Sequence, residues 1–257
     1  MKKLTKALIP AALFAVSFAT HAETSDGKDF SVSAGWLHIM PQGSKQGVSG
    51  TAIGSPISSP NAGFEIKDSD TASLLFDYYV NDNVSLELVA GIPPKMKIEG
   101  KGTILDSLGG VGLEKLGEVG EVDAYTPVLL GKYQFGTVNS KFRPFVGAGI
   151  MYAHFSNFKL GSSVNSELNS QLYGGALGLS VNKVKIEDSI APVAVIGMDY
   201  NINSNWFATA SVTYSHLKTR AKLDIASSTY GGTDIVHGES DIEINPIVTY
   251  LGIGYRF

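Results

Sequence analysis

The sequence predicts an all-β protein, an eight-stranded antiparallel transmembrane β-barrel with short periplasmic turns and long extracellular loops. Three observations lead there. Apolar residues recur with period two in segment after segment, the connections between those segments alternate between short and long, and the chain opens on a secretory leader.

The leader runs from Met1 to Ala22. Lys2, Lys3 and Lys6 precede an apolar run from Ala7 to Ala19, and Thr20-His21-Ala22 closes it with the small residues a signal peptidase reads. The run is short and carries Pro10, which argues against a membrane helix. Residues 1–22 are therefore expected to be a signal peptide and 23–257 the barrel. No later run approaches the ~18 apolar residues that a spanning helix needs. The expected place is the outer membrane of a bacterial cell.

Composition fits one β domain, with 29 Gly and 11 Tyr. The chain has no Cys, which excludes disulfides, thiolate metal sites and thiol nucleophiles. A net charge of −4 gives no basic field for nucleic acid, so none is expected as a partner. No cofactor is expected either.

Taken in order, the strand candidates are Asp29–Met40, Asp70–Val80, Asn83–Pro93, Val122–Phe135, Lys141–Phe155, Ala191–Tyr200, Trp206–Ala221 and Glu239–Phe257. The short connections "NDN" (Asn81–Asn83), "GTVNS" (Gly136–Ser140) and "NINSN" (Asn201–Asn205) are rich in turn formers. The long ones are Pro41–Lys67, Ile98–Glu121, Asn157–Ser189 and Lys222–Gly238. A soluble sandwich could alternate in the same way, but it has no need of this asymmetry.

The C-terminal segment shows which face meets lipid. Phe257, Tyr255, Ile253, Leu251 and Ile247 share one parity, apolar with aromatics at the end, and belong on the lipid side. In the same way Phe142, Val146, Ile150 and Tyr152, and Trp206, Val212 and Tyr214, face outward.

The inward parity holds the candidate functional residues. Near the short turns it carries Asp77, Glu87, Lys132, Arg143, Asp199 and Arg256, a few residues from the periplasmic end of their strands. A bore only wide enough for side chains cannot hold unpaired charges cheaply, so these six should pair and close a floor. Higher up come Leu37, Ile39, Val89, Val128, Leu130, Phe145, Met151, Phe155, Val193, Val195, Val248 and Tyr250, an apolar lining unlike a porin lumen. Pro93, Pro94 and Pro127 fall at one height on neighbouring strands. They end those strands or, by removing ladder donors, open the wall as a lateral exit.

The stretches "SLLFDYYVNDNVSLELVAGIPPKMKI", "YTPVLLGKYQF", "KFRPFVGAGIMYAHF", "NWFATASVTYSHLKTRA" and the ending "GIGYRF" resemble the OmpW family of outer-membrane proteins. The likeness covers nearly all the membrane strands and fades in Pro41–Lys67 and Asp224–His237. It implies a barrel with a hydrophobic bore and uptake of small hydrophobic molecules, with sideways release into the membrane suggested by alkane-uptake relatives. Tyr250, Gly252, Tyr255 and Phe257 resemble the terminal signal read by the barrel-assembly machinery. The implied partners are outer-membrane lipid, that machinery and small hydrophobic solutes.

Two other classes stand beside this one. A structural, adhesive or receptor barrel would have a solid core and carry its activity in the loops. The Gly/Ser-rich "GSKQGVSGTAIGSPISSP" reads as such a flexible loop. An outer-membrane enzyme would need a nucleophile and base near the interface. His38, His154 and His216 have lipid-facing parity at the outer rim, no G-x-S-x-G elbow exists, and His237, Glu239 and Asp241 read as rim residues rather than a metal site.

Overall fold

A computed structural model describes residues 24–43, 47–105, 109–172 and 175–257, so the expected leader lies outside the described residues. The first strands are β1 (Phe30–Met40), β2 (Val48–Ala52), β3 (Ser55–Ser59), β4 (Gly63–Ile66), β5 (Ser69–Tyr79), β6 (Val84–Gly91), β7 (Lys95–Lys101), β8 (Thr103–Ile104) and β9 (Val111–Gly112). Then come β10 (Glu118–Tyr125), β11 (Val128–Gln134), β12 (Phe142–Leu160), helix α1 (Val164–Gln171), β13 (Leu179–Ile186) and β14 (Ser189–Asn201). The chain ends with β15 (Trp206–Ser215), β16 (Lys218–Ser227), β17 (Thr233–Glu243) and β18 (Ile247–Arg256).

Eight of these close a barrel in the order β1-β5-β6-β11-β12-β14-β15-β18, with β18 pairing back onto β1. All neighbours are antiparallel. Alternation along each strand makes the wall. On β18, Leu251 and Ile253 are 59% and 55% exposed while Tyr250 and Arg256 are buried. That much bare apolar surface is intelligible only against lipid.

Aromatic rings mark both edges of the lipid belt. At the lower edge Phe30 stacks with Phe257 and Trp206 meets Tyr255 edge-on. At the upper edge Trp36 and His38 both reach Asp70, at 2.9 Å each, and Tyr152 and His154 both reach Asp188, at 2.7 and 2.8 Å. From Phe30 to His38, at ~3.3 Å per residue and about 40° of tilt, is roughly 20 Å of height, close to the ~25 Å apolar band of such barrels.

The short turns hold through side chains. Asn81 Oδ1 accepts from the amides of Asn83 and Val84, and Asn203 Oδ1 from those of Asn205 and Trp206, all at 2.8–2.9 Å.

The long connections differ from expectation, because they are themselves β structure. β4, β7 and β10 join the upper part of β12 in one sheet, while β13, β16, β17, β2 and β3 form a second. Together with α1 they make a crown above the barrel, packed on Leu105, Leu113, Leu116, Leu168, Ile225 and Val236. Three expected strands are consequently broken in two. Val122–Phe135 breaks at Thr126–Pro127, Trp206–Ala221 at His216–Leu217, and Glu239–Phe257 at Asn245–Pro246. Two of the three breaks carry a proline, which cannot supply a ladder donor. The Gly/Ser-rich first loop forms the hairpin β2–β3, added to β17.

Candidate functional site

The inward charges meet just above the short turns. Lys132 Nζ lies 2.6 Å from Asp77 and 2.5 Å from Glu87, and Ser31 donates to Asp77 at 3.1 Å. Arg256 lies 3.4 Å from Asp199, donates to Asn201 at 2.6 Å and covers the Phe207 ring at 4.4 Å. The five charged residues, Asp77, Glu87, Lys132, Asp199 and Arg256, are at most 5% exposed. Three carboxylates thus face three cations, Arg143 included, and no net charge is left to bury. Arg143 departs from the expected pairing. It is 1% exposed and, although Asp199 is its register partner on β14, it donates to the Asp82 carbonyl in the first short turn. Gln134, bonded to Ser85 at 2.9 Å, fills out this layer.

Above the floor is a cavity of about 90 Å³. Ten of the twelve expected bore residues line it: Leu37, Ile39, Val89, Val128, Leu130, Met151, Phe155, Val193, Val248 and Tyr250. The other two differ. Phe145 and Val195 are buried but lie too near the turns, at the level of the charges, where the Phe145 ring carries Lys132 Nζ at 4.8 Å from its centre. Tyr250 lies along the bore wall to bond Ser33 on the neighbouring strand β1 at 3.1 Å, and a Cβ at Gly252 would collide with its ring. That is a packing reason for one glycine of the terminal motif.

Several lining residues are absent from the sequence reading. Leu75 and Met96 complete the apolar wall, with Leu217 and Ile244 at its upper end. Ser211, Thr213 and Ser215 add a stripe of hydroxyls from β15, so the bore is not apolar all round. The signal was present: Trp206, Val212 and Tyr214 face out, so the parity between them must face in.

The wall is incomplete at one seam. The β6–β11 ladder runs from Val84–Tyr133 up to Val89–Val128 and stops. Pairing resumes between β7 and β10 at Lys95–Asp123. In the interval Ile92 donates to Ala72 on β5 and Pro127 accepts from Tyr152 on β12, and Ala124 donates to the Pro94 carbonyl at 3.1 Å across its upper end. Pro93, Pro94 and Pro127 lie in this interval, and Thr126 reaches from it into the bore cavity.

The chain's relatives share this architecture. A family model described as "OmpW family" matches residues 26–257. Outer membrane protein W of Vibrio cholerae is 31% identical over 247 residues, covering 96% of each chain. A dibenzothiophene metabolism operon protein of Pseudomonas aeruginosa is 24% identical over 198 residues, 77% of this chain and 76% of that one. Among solved structures, the outer membrane protein OprG of Pseudomonas aeruginosa superposes with a TM-score of 0.70 at 24% identity, covering 90% of this chain and 96% of that one. Lipid-facing strands, a buried charge layer and a match over nearly the whole length lead to one conclusion: the chain belongs to the OmpW family and is a β-barrel of the bacterial outer membrane.

Proposed function

We propose that the barrel takes up small hydrophobic molecules from outside, passes them into the bore above the charged floor, and releases them sideways into the membrane at the seam near Pro93, Pro94 and Pro127. The observation that carries this is the junction of bore and seam at Thr126, above a floor of paired charges. An apolar solute gains ~0.8 kcal/mol per buried CH₂ in the bore and loses it on entering the charge layer. Lipid is the favourable way out. That one relative is named for dibenzothiophene metabolism agrees with an apolar cargo.

Passage requires the bore to widen. A cavity of about 90 Å³ is smaller than the ~150 Å³ that admits a benzene ring. Met151 and Phe155 line it, and Met has the freedom to move aside. The narrow cavity is also what a structural or receptor barrel with a filled core would have, and this favours the second reading.

Uptake of a hydrophobic tracer by cells or vesicles carrying the protein separates the two. Thr126→Trp, which fills the junction, should abolish uptake in a folded barrel, and Leu130→Asp should reduce it strongly. Unchanged uptake in both variants would leave the filled-core reading standing. We assign residues 1–22 as a signal peptide, and Tyr250, Gly252, Tyr255 and Phe257 as the signal for the assembly machinery. Deleting Phe257 should slow assembly without altering the bore.

A further inference from the structure

A second gap opens in the wall two strands further round. β12 pairs with β14 only as far as Ala153–Ser189, after which it leans onto β10 while β13 pairs with β16. Between them lies a cleft of about 480 Å³, within the ~300–1,000 Å³ range of ligand pockets and several times the bore cavity.

Its inner end is apolar, formed by Phe155, Phe158, Val184 and Ile186. Phe155 also lines the bore, and the other three also line an apolar cavity of about 80 Å³ inside the crown. The cleft therefore shares a wall of side chains with both interior spaces. A bulge makes this possible. Asn157 and Phe158 stand opposite the single residue Val122, which shifts the parity of β12 so that Phe155 and Phe158 both point inward. Asn157 takes φ of 53°, and its amide donates to Asp123 at 2.8 Å. Such bulges are over-represented beside functional sites, where they re-aim a side chain.

The rim carries charges of both signs, Lys185 beside Glu187 and Asp188. Asp188 is engaged by Tyr152 and His154, and Glu187 pairs with Lys222 at 2.8 Å. Among the described residues Lys185 has no carboxylate within ion-pair distance, and it is exposed at the cleft mouth. An apolar floor beneath one exposed cation that makes no close ion pair, though Glu187 and Asp188 lie near it, suits one class of molecule.

We propose that this cleft is a binding site and side entrance for free single-chain anionic amphiphiles, with the tail on Phe155, Phe158, Val184 and Ile186 and the head group on Lys185. The entrance part rests on the uptake reading above; the binding part does not.

Because the chain has no Cys, Ser156→Cys can carry a polarity-sensitive dye as a unique reporter in the cleft. The labelled protein, in zwitterionic vesicles, is titrated with dodecanoate and with dodecanol at neutral pH. Dodecanoate should give a saturable blue shift at about three- to fivefold lower concentration than dodecanol, the size expected of one exposed ion pair. Lys185→Gln should remove that difference, and Lys185→Glu should reverse it. No saturable shift, a head-group preference that survives Lys185→Gln, or a dye already shifted by the vesicle lipid would overturn the proposal. Thr126→Trp in the same reporter should block tracer uptake and leave the titration intact. A titration that holds while wild-type uptake fails refutes the uptake reading and the entrance part with it, leaving the binding site, and the reverse refutes this proposal alone.

Discussion

The barrel and the crown are built from the same alternating strands and are opposite in polarity. In the barrel the charges are inside, with Lys132 held between Asp77 and Glu87, and Leu251, Ile150 and Ile196 are bare outside. In the crown the apolar side chains are inside, and the charges ladder across the outer face as Lys97–Glu118, Lys95–Glu121 and Arg220–Asp241. β12 passes through both regions, exposing Ile150 low down and Lys159 near its end. The bulge at Asn157 is where its parity changes. Period two thus says only that two faces differ. The surrounding solvent decides which face is which.

The contrast predicts unequal costs for removing a charge. Lys132→Met leaves two buried carboxylates without their cation and should destabilise the barrel by about 3–5 kcal/mol. Arg220→Gln in the crown removes an exposed, solvent-screened pair and should cost only a small fraction of that. Urea unfolding of the barrel in detergent measures both. Replacing Asp77, Glu87 and Lys132 together by Leu should restore most of the loss, because the penalty is an uncompensated charge rather than a missing attraction. Equal losses from the two single changes would mean the floor is wetter than its burial implies.

The outer faces should differ almost as much. Val146, about midway along β12 between Phe142 and Tyr152, is 47% exposed, and Val146→Lys should cost roughly 2–4 kcal/mol as a charge in lipid. Lys97→Leu, on the crown's outer face, should leave the unfolding midpoint nearly unchanged. The readout is unfolding in bilayers rather than micelles, because thin or wet micelles would blunt the first effect.

Acid should act on the crown's ladder late. Hydrogen bonding to Lys222 holds the Glu187 carboxyl below its ordinary range, and Arg220 does the same to Asp241. A depressed folded value means the contribution is complete above the unfolded values of about 4, and is lost only as pH falls through the lower folded ones. Their partners Lys222 and Arg220 are raised, so that side of each pair holds throughout the neutral range. Protease cleavage in β16 and β17 should therefore be flat from about pH 9 to pH 5 and rise only below about pH 4. A rise already near pH 6 would show that other groups hold the crown together.

Much of the barrel was legible because lipid enforces alternation on every residue of a strand. The parity of Leu251, Ile253 and Tyr255 fixed the inward side, and that parity placed Asp77, Lys132 and Arg256 in one layer. The crown was not legible. Its strands are bounded by glycines and charges that read as loops, and β2–β3 gains its partner from β17, nearly 190 residues away. Heights were less certain than faces. Phe145 and Val195 have the right parity but lie one step too low, and no pattern in a single strand gives the stagger between neighbours. Arg143 shows the same limit, since its partner is a turn carbonyl and not a charge.

The smallest expected effect concerns the hairpin that joins the crown last. β2 and β3 are linked by Ile53 and Gly54, with φ of 50° and 75°. Positive φ at both positions is the two-residue turn that suits the twist of a hairpin, and Asn-Gly is its preferred sequence. Ile53 is a poor fit there, because a β-branched side chain crowds the following carbonyl in the left-handed region. Its side chain is 50% exposed at the tip, while its amide donates to the Ile235 carbonyl at 2.7 Å. Ile53→Asn keeps the amide and relieves the crowding, so it should stabilise the hairpin by up to about 1 kcal/mol. Amide exchange should slow at Gly50 and Ala52 by up to about fivefold and stay unchanged in β18. Faster exchange at the hairpin would mean that Ile53 is held by a contact its exposure conceals, and that the tip serves a purpose other than turning the chain.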